Sequence, residues 1–280
     1  MTTSHPSDEP GLDEVHPPSA ARTRARPPRR WAAIAGWLVF GGLLAWSLHG
    51  LSADVSFKRI ARAPAALADF LGRSWPPDFA EWRTLLHALM QTIQMALVGT
   101  VLGAIVSLPL SALGTRSLAP RWITLTVRLL LNVVRTIPSL VWGLLFVAAV
   151  GLGPLPGVLA LAFYSAGYLT KFYYEAFESA DAATSDALRA LGARGAQIFH
   201  HAVWPPARPL ILSQTIFMFE YNVRAAAILG YVGAGGIGLH LKIYFESFQY
   251  PSAVACLLII LAVVVLLDVV SSYLRRQLTQ

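Results

Sequence analysis

Charge is what this sequence has least of. Of 280 residues only 13% are Asp, Glu, Lys or Arg, while 55% are apolar. That is too little charge for an ordinary soluble domain of this length. Lysine is scarcest, at positions 58, 171 and 242 alone, and none follows a glycine. A loop of the form G-x-x-x-x-G-K-[ST] is therefore absent, so the chain does not hold nucleotide phosphates in that way. The single cysteine, Cys256, excludes an intrachain disulfide and reads as a small core residue. No zinc spacing occurs, because His200 and His201 are adjacent rather than four apart. No G-x-S-x-G nucleophile elbow occurs either.

What is present is long uncharged runs. Trp31 to Leu48, Ala88 to Leu113, Thr136 to Thr170 and Ser247 to Leu267 carry no charge. Runs of about 18 residues or more suffice to cross a bilayer as helices. Gly151-Leu-Gly-Pro-Leu-Pro-Gly157 breaks the longest run with a turn. The pattern predicts an all-α membrane protein with six spans, at about 31–50, 86–112, 122–150, 156–174, 209–232 and 250–272. Residues 1–30 are rich in Pro, Ser and Arg and predict a disordered tail before a membrane domain over 31–280. The first run lacks a nearby A-x-A cleavage pattern and reads as a retained span.

Arginines 22, 24, 26, 29 and 30 precede the first span, which places the N-terminus in the cytoplasm. Six spans return the C-terminus, with Arg275 and Arg276, to the same side. The loops at 114–121 and 175–208 then fall inside, and those at 151–156 and 233–249 outside with one Lys between them. The loop at 51–85 dissents, with five basic residues offset by four acidic ones. The net charge of +7 is accounted for by topology and anionic lipid, not by nucleic acid.

Gly230-Tyr-Val-Gly-Ala-Gly-Gly-Ile-Gly238 contains G-x-G-x-x-G at Gly233, Gly235 and Gly238, the dinucleotide-binding fingerprint. That fingerprint needs a strand before it, a helix after it and an acidic residue about 20 positions on. Here a span of helical length precedes the glycines and no βαβ unit can be drawn. A close-packed, Gly-rich helix end, including Gly236, is the simpler reading. Gly99 and Gly103 offer a second close-packing face.

Just upstream, Glu220-x-Asn222-x-Arg224 places charges inside a span. Glu220 and Arg224 are four apart, where they can pair, and Asn222 points toward another face. Intramembrane charges mark a functional interior by default. This E-x-N-x-R, followed by the glycines, resembles the membrane-spanning subunit of phosphonate importers of the ATP-binding-cassette class. "VGAGGIG" is also similar to the subunits of methionine and other small-molecule importers. Arg135-Thr-Ile-Pro-Ser-Leu-Val-Trp142 and Asp268-Val-Val-Ser271 resemble that family's third and last segments. The likeness covers about residues 84 to 277.

The resemblance implies a coupling motif in the long inside loop, about 178–208. Asp186, Ala187, Gly192, Ala193 and Pro205 match at the family's spacing, Asp186 standing where the family has Glu. Leu188 and Trp204 depart from the pattern. Asp186 to Leu191 reads as a short helix ended by Gly192, and Ile198-Phe199 as the start of a second, ended by Pro205-Pro206. Two short helices around a glycine form a knob that fits a partner's groove.

The expected protein is thus a type I importer permease in a bacterial inner membrane, binding no cofactor itself. The resemblance implies a homodimer, separate ATPase subunits that bind the ATP, and an extracytoplasmic substrate-binding protein. Phosphonate leads the expected substrates, with phosphite, a phosphate ester or methionine as alternatives. Arg135 and Arg224 are candidate anion contacts, since guanidinium matches phosphonate oxygens with paired hydrogen bonds. Either they serve that purpose, or Arg224 only pairs with Glu220 and Arg135 only anchors a span. A membrane-embedded enzyme acting on lipid through His200, His201 and Asp186 is the alternative from another class.

Overall fold

A computed structural model describes residues 30–52 and 57–279, so the expected disordered tail lies outside the described residues but for Arg30. Every regular element among the described residues is helical. The chain divides into two units, residues 1–66 and 67–280. In the first, α1 (Arg30–Ser52) is exposed along residues 33–50, as a lipid-facing span would be. The segment expected as a loop over 51–85 instead holds α2 (Phe57–Ser74), which passes from the first unit into the second. Apolar Leu67, Phe70 and Leu71 recur there at helical spacing among charges, so a short amphipathic helix wins over an open loop.

The second unit is built on α3 (Trp82–Gly114) and α6 (Pro154–Glu178), its most extensively packed pair. Glycines let them approach. A Cβ at Gly103 would stand 2.5 Å from that of Ser165, and one at Gly99 2.7 Å from that of Leu161. Between helices in lipid, close van der Waals packing replaces the expulsion of water as the source of cohesion. Buried hydroxyls add to it: Ser107 donates to Gly103 O at 2.7 Å, and its oxygen lies 3.2 Å from Ala166 O across the interface.

The expected span at 122–150 is not one helix. It is α4 (Arg121–Thr136) and α5 (Ser139–Val150), bent by 86°. Pro138 supplies the break. It has no N–H to donate, and its ring pushes Ile137 out of helical geometry, to φ −86°, ψ 121°.

Beyond α6 come α7 (Ala182–Ala190), α8 (Gly195–Ile198) and a wide helical turn at Phe199–Val203, which leads directly into α9 (Trp204–Leu229). Pro205-Pro206 therefore does not stop a helix; it begins one. The wide turn before it, closed by Trp204 N–H on Phe199 O, accommodates the prolines' missing N–H groups. The expected outside loop at 233–249 is largely helical too, as α10 (Ile237–Glu246). The last helix, α11 (Tyr250–Thr279), runs seven residues past the expected end at 272.

Among the described residues, three helices are long and apolar enough to cross a membrane alone, namely α1, α3 and α11. Taking each bent pair as one span gives up to five. The remaining expected span, 156–174, is α6. Its prolines, glycines, tyrosines and one serine lower its hydropathy because it faces other helices rather than lipid: Leu161, Ser165, Leu169 and Thr170 are fully buried. One core cluster joins α3, α6 and α9 through Met95, Leu161, Val223 and Leu229. Another joins α3, α10 and α11 through Leu85, Ile237, Tyr244 and Cys256, which is fully buried as expected.

Candidate translocation and coupling sites

The glycine-rich segment is a close-packed kink. α9 continues through one wide turn over Gly230–Ala234, and the chain then bends by 55° into α10. Gly236 takes φ +69°, a conformation most side chains resist. At Gly238 the constraint is space: a Cβ would run into the carbonyl oxygen of Ala227. At Gly230 it would meet Gly235 O. Side chains of α3 complete the turn, Gln91 Oε1 accepting from Gly236 N–H and Thr92 Oγ1 from Ile237 N–H, each at 2.9 Å. No strand precedes these glycines among the described residues, so a dinucleotide fold is excluded for them.

Glu220 and Arg224 pair as their spacing predicts, at 3.0 Å. Sequence reasoning missed the third member. Arg275, from near the end of α11, also reaches Glu220, at 3.4 Å. Glu220 is 4% exposed and sits between two guanidiniums, while Arg224 remains 41% exposed. Nothing in the spacing of a terminal arginine announces a partner 55 residues earlier. Arg224 borders a cavity of about 220 Å³ together with Pro138, Ser139 and Tyr221. The cavity thus lies where the α4–α5 break meets α9. Tyr221 stacks on Tyr164 of α6 with ring centroids 5.5 Å apart, giving that surface phenol groups beside the arginine.

Arg135 lies in the last turn of α4, three residues before Pro138, but does not line this cavity. Its guanidinium donates to Asn132 Oδ1 at 3.4 Å. Asn222, expected beside the path, is fully buried and bonds Thr100 and Ser165, each at 2.8 Å. It bolts α9 to α3 and α6. In this chain its Nδ2 is spent on packing, and only its Oδ1 lacks a partner.

The 178–208 segment divides into an exposed tip and a buried root. At the tip, Asp181 caps α7 by accepting from Ala183 N–H and Thr184 N–H at 3.1 and 3.2 Å. The Thr184 hydroxyl and those amides hold its carboxyl below the usual carboxylate range. The cap is therefore complete above that range and fails only as pH falls through the lowered value. Gly192 closes the other end at φ +80°. Gly192 N–H reaches Arg189 O at 2.9 Å and Ala193 N–H reaches Leu188 O at 3.0 Å, the paired bonds of a Schellman stop. Asp186 pairs with Arg189 at 2.8 Å on the surface, and α7 buries none of its residues. At the root, Ile198, Ala202 and Val203 are buried. Phe199 packs on Phe177 and Trp204. Trp204, a departure from the family's pattern, thus fills the root with a ring. Pro205 begins the long helix beneath.

Residues 99–280 match the family described as "Binding-protein-dependent transport system inner membrane component". The phosphite transport system permease protein PtxC of Stutzerimonas stutzeri is 42% identical over 212 residues, 75% of this chain and 77% of PtxC. The phosphate-import permease protein PhnE of Mycolicibacterium smegmatis is 34% identical over 79% of this chain, which spans 43% of that longer protein. Among solved structures, the inward-facing methionine transporter MetNI gives a TM-score of 0.63 at 20% identity, covering 72% of this chain and 100% of the matched one. A bacterial importer of alginate gives 0.56 at 16% identity over 90% and 100%. Those two likenesses show the fold alone.

The chain belongs to the inner-membrane component family of binding-protein-dependent importers, with the type I fold. It is a multi-pass transport subunit rather than an enzyme, and its family works with a separate ATPase and a substrate-binding protein.

Proposed function

We propose that this permease carries a small phosphorus oxyanion of the phosphonate, phosphite or phosphate type. The observation that carries the reading is Arg224, half-exposed at a cavity and held from behind by buried Glu220. A guanidinium offers paired donors that match the oxygens of such an anion. The substrates named for PtxC and PhnE support the same chemistry. Two copies of the chain enclose the path, and an ATPase subunit receives α7 of each. Closure of the ATPases on ATP draws the two α7 knobs together, and the rigid root passes that motion to α9. Glu220 holds Arg224 until the anion competes for it. Gly230, Gly233, Gly235, Gly236 and Gly238 serve as the fixed turn behind this surface, and Arg135 remains a candidate second contact at the α4–α5 break.

The test is uptake by the assembled complex with its own binding protein. Radiolabelled methylphosphonate, phosphite and phosphate should each be tried, with methionine as the control. Uptake of methionine and of none of the three anions would sink the proposal.

The same reading puts both termini and α7 in the cytoplasm, on the arginine asymmetry. With Cys256→Ser as background, a cysteine at Gly153 should react with an impermeant thiol reagent on intact cells. One at Arg194 should react only after lysis. The reverse pattern would remove α7 from reach of any ATPase.

A further inference from the structure

A second basic site lies away from Arg224. The start of α4 and the turn before it enclose a cavity of about 410 Å³, lined by Arg116, Arg121, Thr124, Leu125 and Arg128. Arg128 is already engaged. It pairs with Glu178, donates to Gly114 O at 2.8 Å and lies 4.1 Å above the Tyr174 ring, tying α3, α4 and α6 together. The Thr124 hydroxyl lies 3.3 Å from Leu113 O and 3.5 Å from Ala119 O. The side chains of Arg116 and Arg121 have no ion pair or hydrogen bond to any described residue, and both are exposed. Two unspent guanidiniums around one concavity suit a phosphate group, whose oxygens accept paired hydrogen bonds.

The surroundings say which phosphate. On the outer side of α4, Trp122, Leu125 and Leu129 are 72, 68 and 66% exposed and follow one another at helical spacing. α4 is thus basic on one face and apolar on the next, and the 86° bend sets it nearly across the direction of α5. A helix of that pattern lies in the interface, its basic side among headgroups and its apolar side against acyl chains. A free anion would use the guanidiniums but gain nothing from the apolar row. An anionic phospholipid uses both, and clustered arginines beside a span attract such lipids. We propose that Arg116 and Arg121 hold the headgroup phosphate of an anionic phospholipid of the cytoplasmic leaflet, with its chains along Trp122, Leu125 and Leu129. The assignment of leaflet rests on the orientation proposed above.

The experiment is native mass spectrometry of the detergent-solubilised permease–ATPase complex titrated with phosphatidylglycerol or phosphatidylcholine. Detergent has no sidedness, so this result is independent of the cysteine-labelling test of orientation. The wild type should retain phosphatidylglycerol in clear preference. Arg116→Gln/Arg121→Gln, which leaves the Arg128–Glu178 tie intact, should bind it about 30-fold more weakly, from two surface arginines at about 1 kcal/mol each. Trp122→Ala should weaken both lipids alike. Equal binding of the two lipids by the wild type would overturn the proposal, as would unchanged preference in the double variant. Displacement of phosphatidylglycerol by millimolar inorganic phosphate would make the site one for a free anion. Loss of the ATPase subunit from the double variant with lipid binding unchanged would assign these arginines to the ATPase interface instead.

Discussion

Arg224→Gln should leave the complex assembled and stop uptake, whereas Glu220→Gln should damage assembly itself. The asymmetry follows from burial. Glu220 is 4% exposed and balances two arginines, so replacing it removes a carboxylate that both guanidiniums face. The guanidiniums left behind are 41 and 22% exposed, so the loss stays below the ~3–5 kcal/mol of a fully buried pair but above that of a surface pair. Arg224 is 41% exposed, so its pairing contributes no more than about 1 kcal/mol, as for other solvent-reached pairs. Its removal also leaves Glu220 with Arg275. A large loss of uptake in Arg224→Gln, normalised to assembled complex, is therefore too great for the lost pair alone to explain. Arg224→Lys should be poor as well, because an ammonium keeps the charge but lacks the planar fork. Glu220→Gln/Arg224→Gln should assemble better than Glu220→Gln alone, because it also removes one of the two guanidiniums that faced the carboxylate, and should still fail to transport. The measurements are uptake and ATPase stimulation by loaded binding protein, with assembly scored by co-purification. Near-normal uptake in Arg224→Gln would reduce the cluster to scaffolding.

How much of this was legible in the sequence depended on range. Glu220 and Arg224 are one helical turn apart, and local geometry alone brings them together. Gly192 signalled its own conformation, since only a few residue types end a helix that way. Gly99 and Gly103 announced a close interface but not its other side, which proved to be Leu161 and Ser165. What the sequence did not reveal was long-range or ambiguous in sign. Arg275 was read as one more cytoplasmic charge because its partner lies on another helix. Asn222 was assigned to the path on the E-x-N-x-R likeness, which says nothing of its packing. Its two hydroxyl partners, on α3 and α6, were invisible from α9 alone. Prolines misled in both directions: Pro138 breaks a run that hydropathy made continuous, and Pro205 opens a helix it was expected to close. A proline forbids a hydrogen bond at one position, and only the flanking geometry decides whether that bond was needed.

Transport should fall in the order Gly192, Asn, Ala, Val when that residue is varied, while complex assembly and membrane insertion fall far less. Gly192 sits at φ +80° with open space around it, since a Cβ there would meet nothing within 4 Å. Any effect of substitution is thus conformational rather than steric crowding against neighbours. Asn tolerates the left-handed region, Ala pays about 1–2 kcal/mol there, and a β-branched side chain pays more. The energy is spent on α7 alone. That helix buries no residue and depends on its two ends, the Asp181 cap and the Gly192 stop, for its shape. Forcing residue 192 out of its conformation frays the end from which Leu188 O and Arg189 O bond to the following turn. The buried root at Ile198, Ala202 and Val203 does not share the strain, so the membrane part keeps its fold. A knob with a frayed end should fit its ATPase poorly, and binding-protein-stimulated hydrolysis should fall in parallel with uptake. Asp181→Ala, at the opposite end of the same helix, should reproduce a milder version, because a lost cap costs about 1 kcal/mol. If Gly192→Val transports and couples as the wild type does, α7 is not the element that carries ATPase motion into α9.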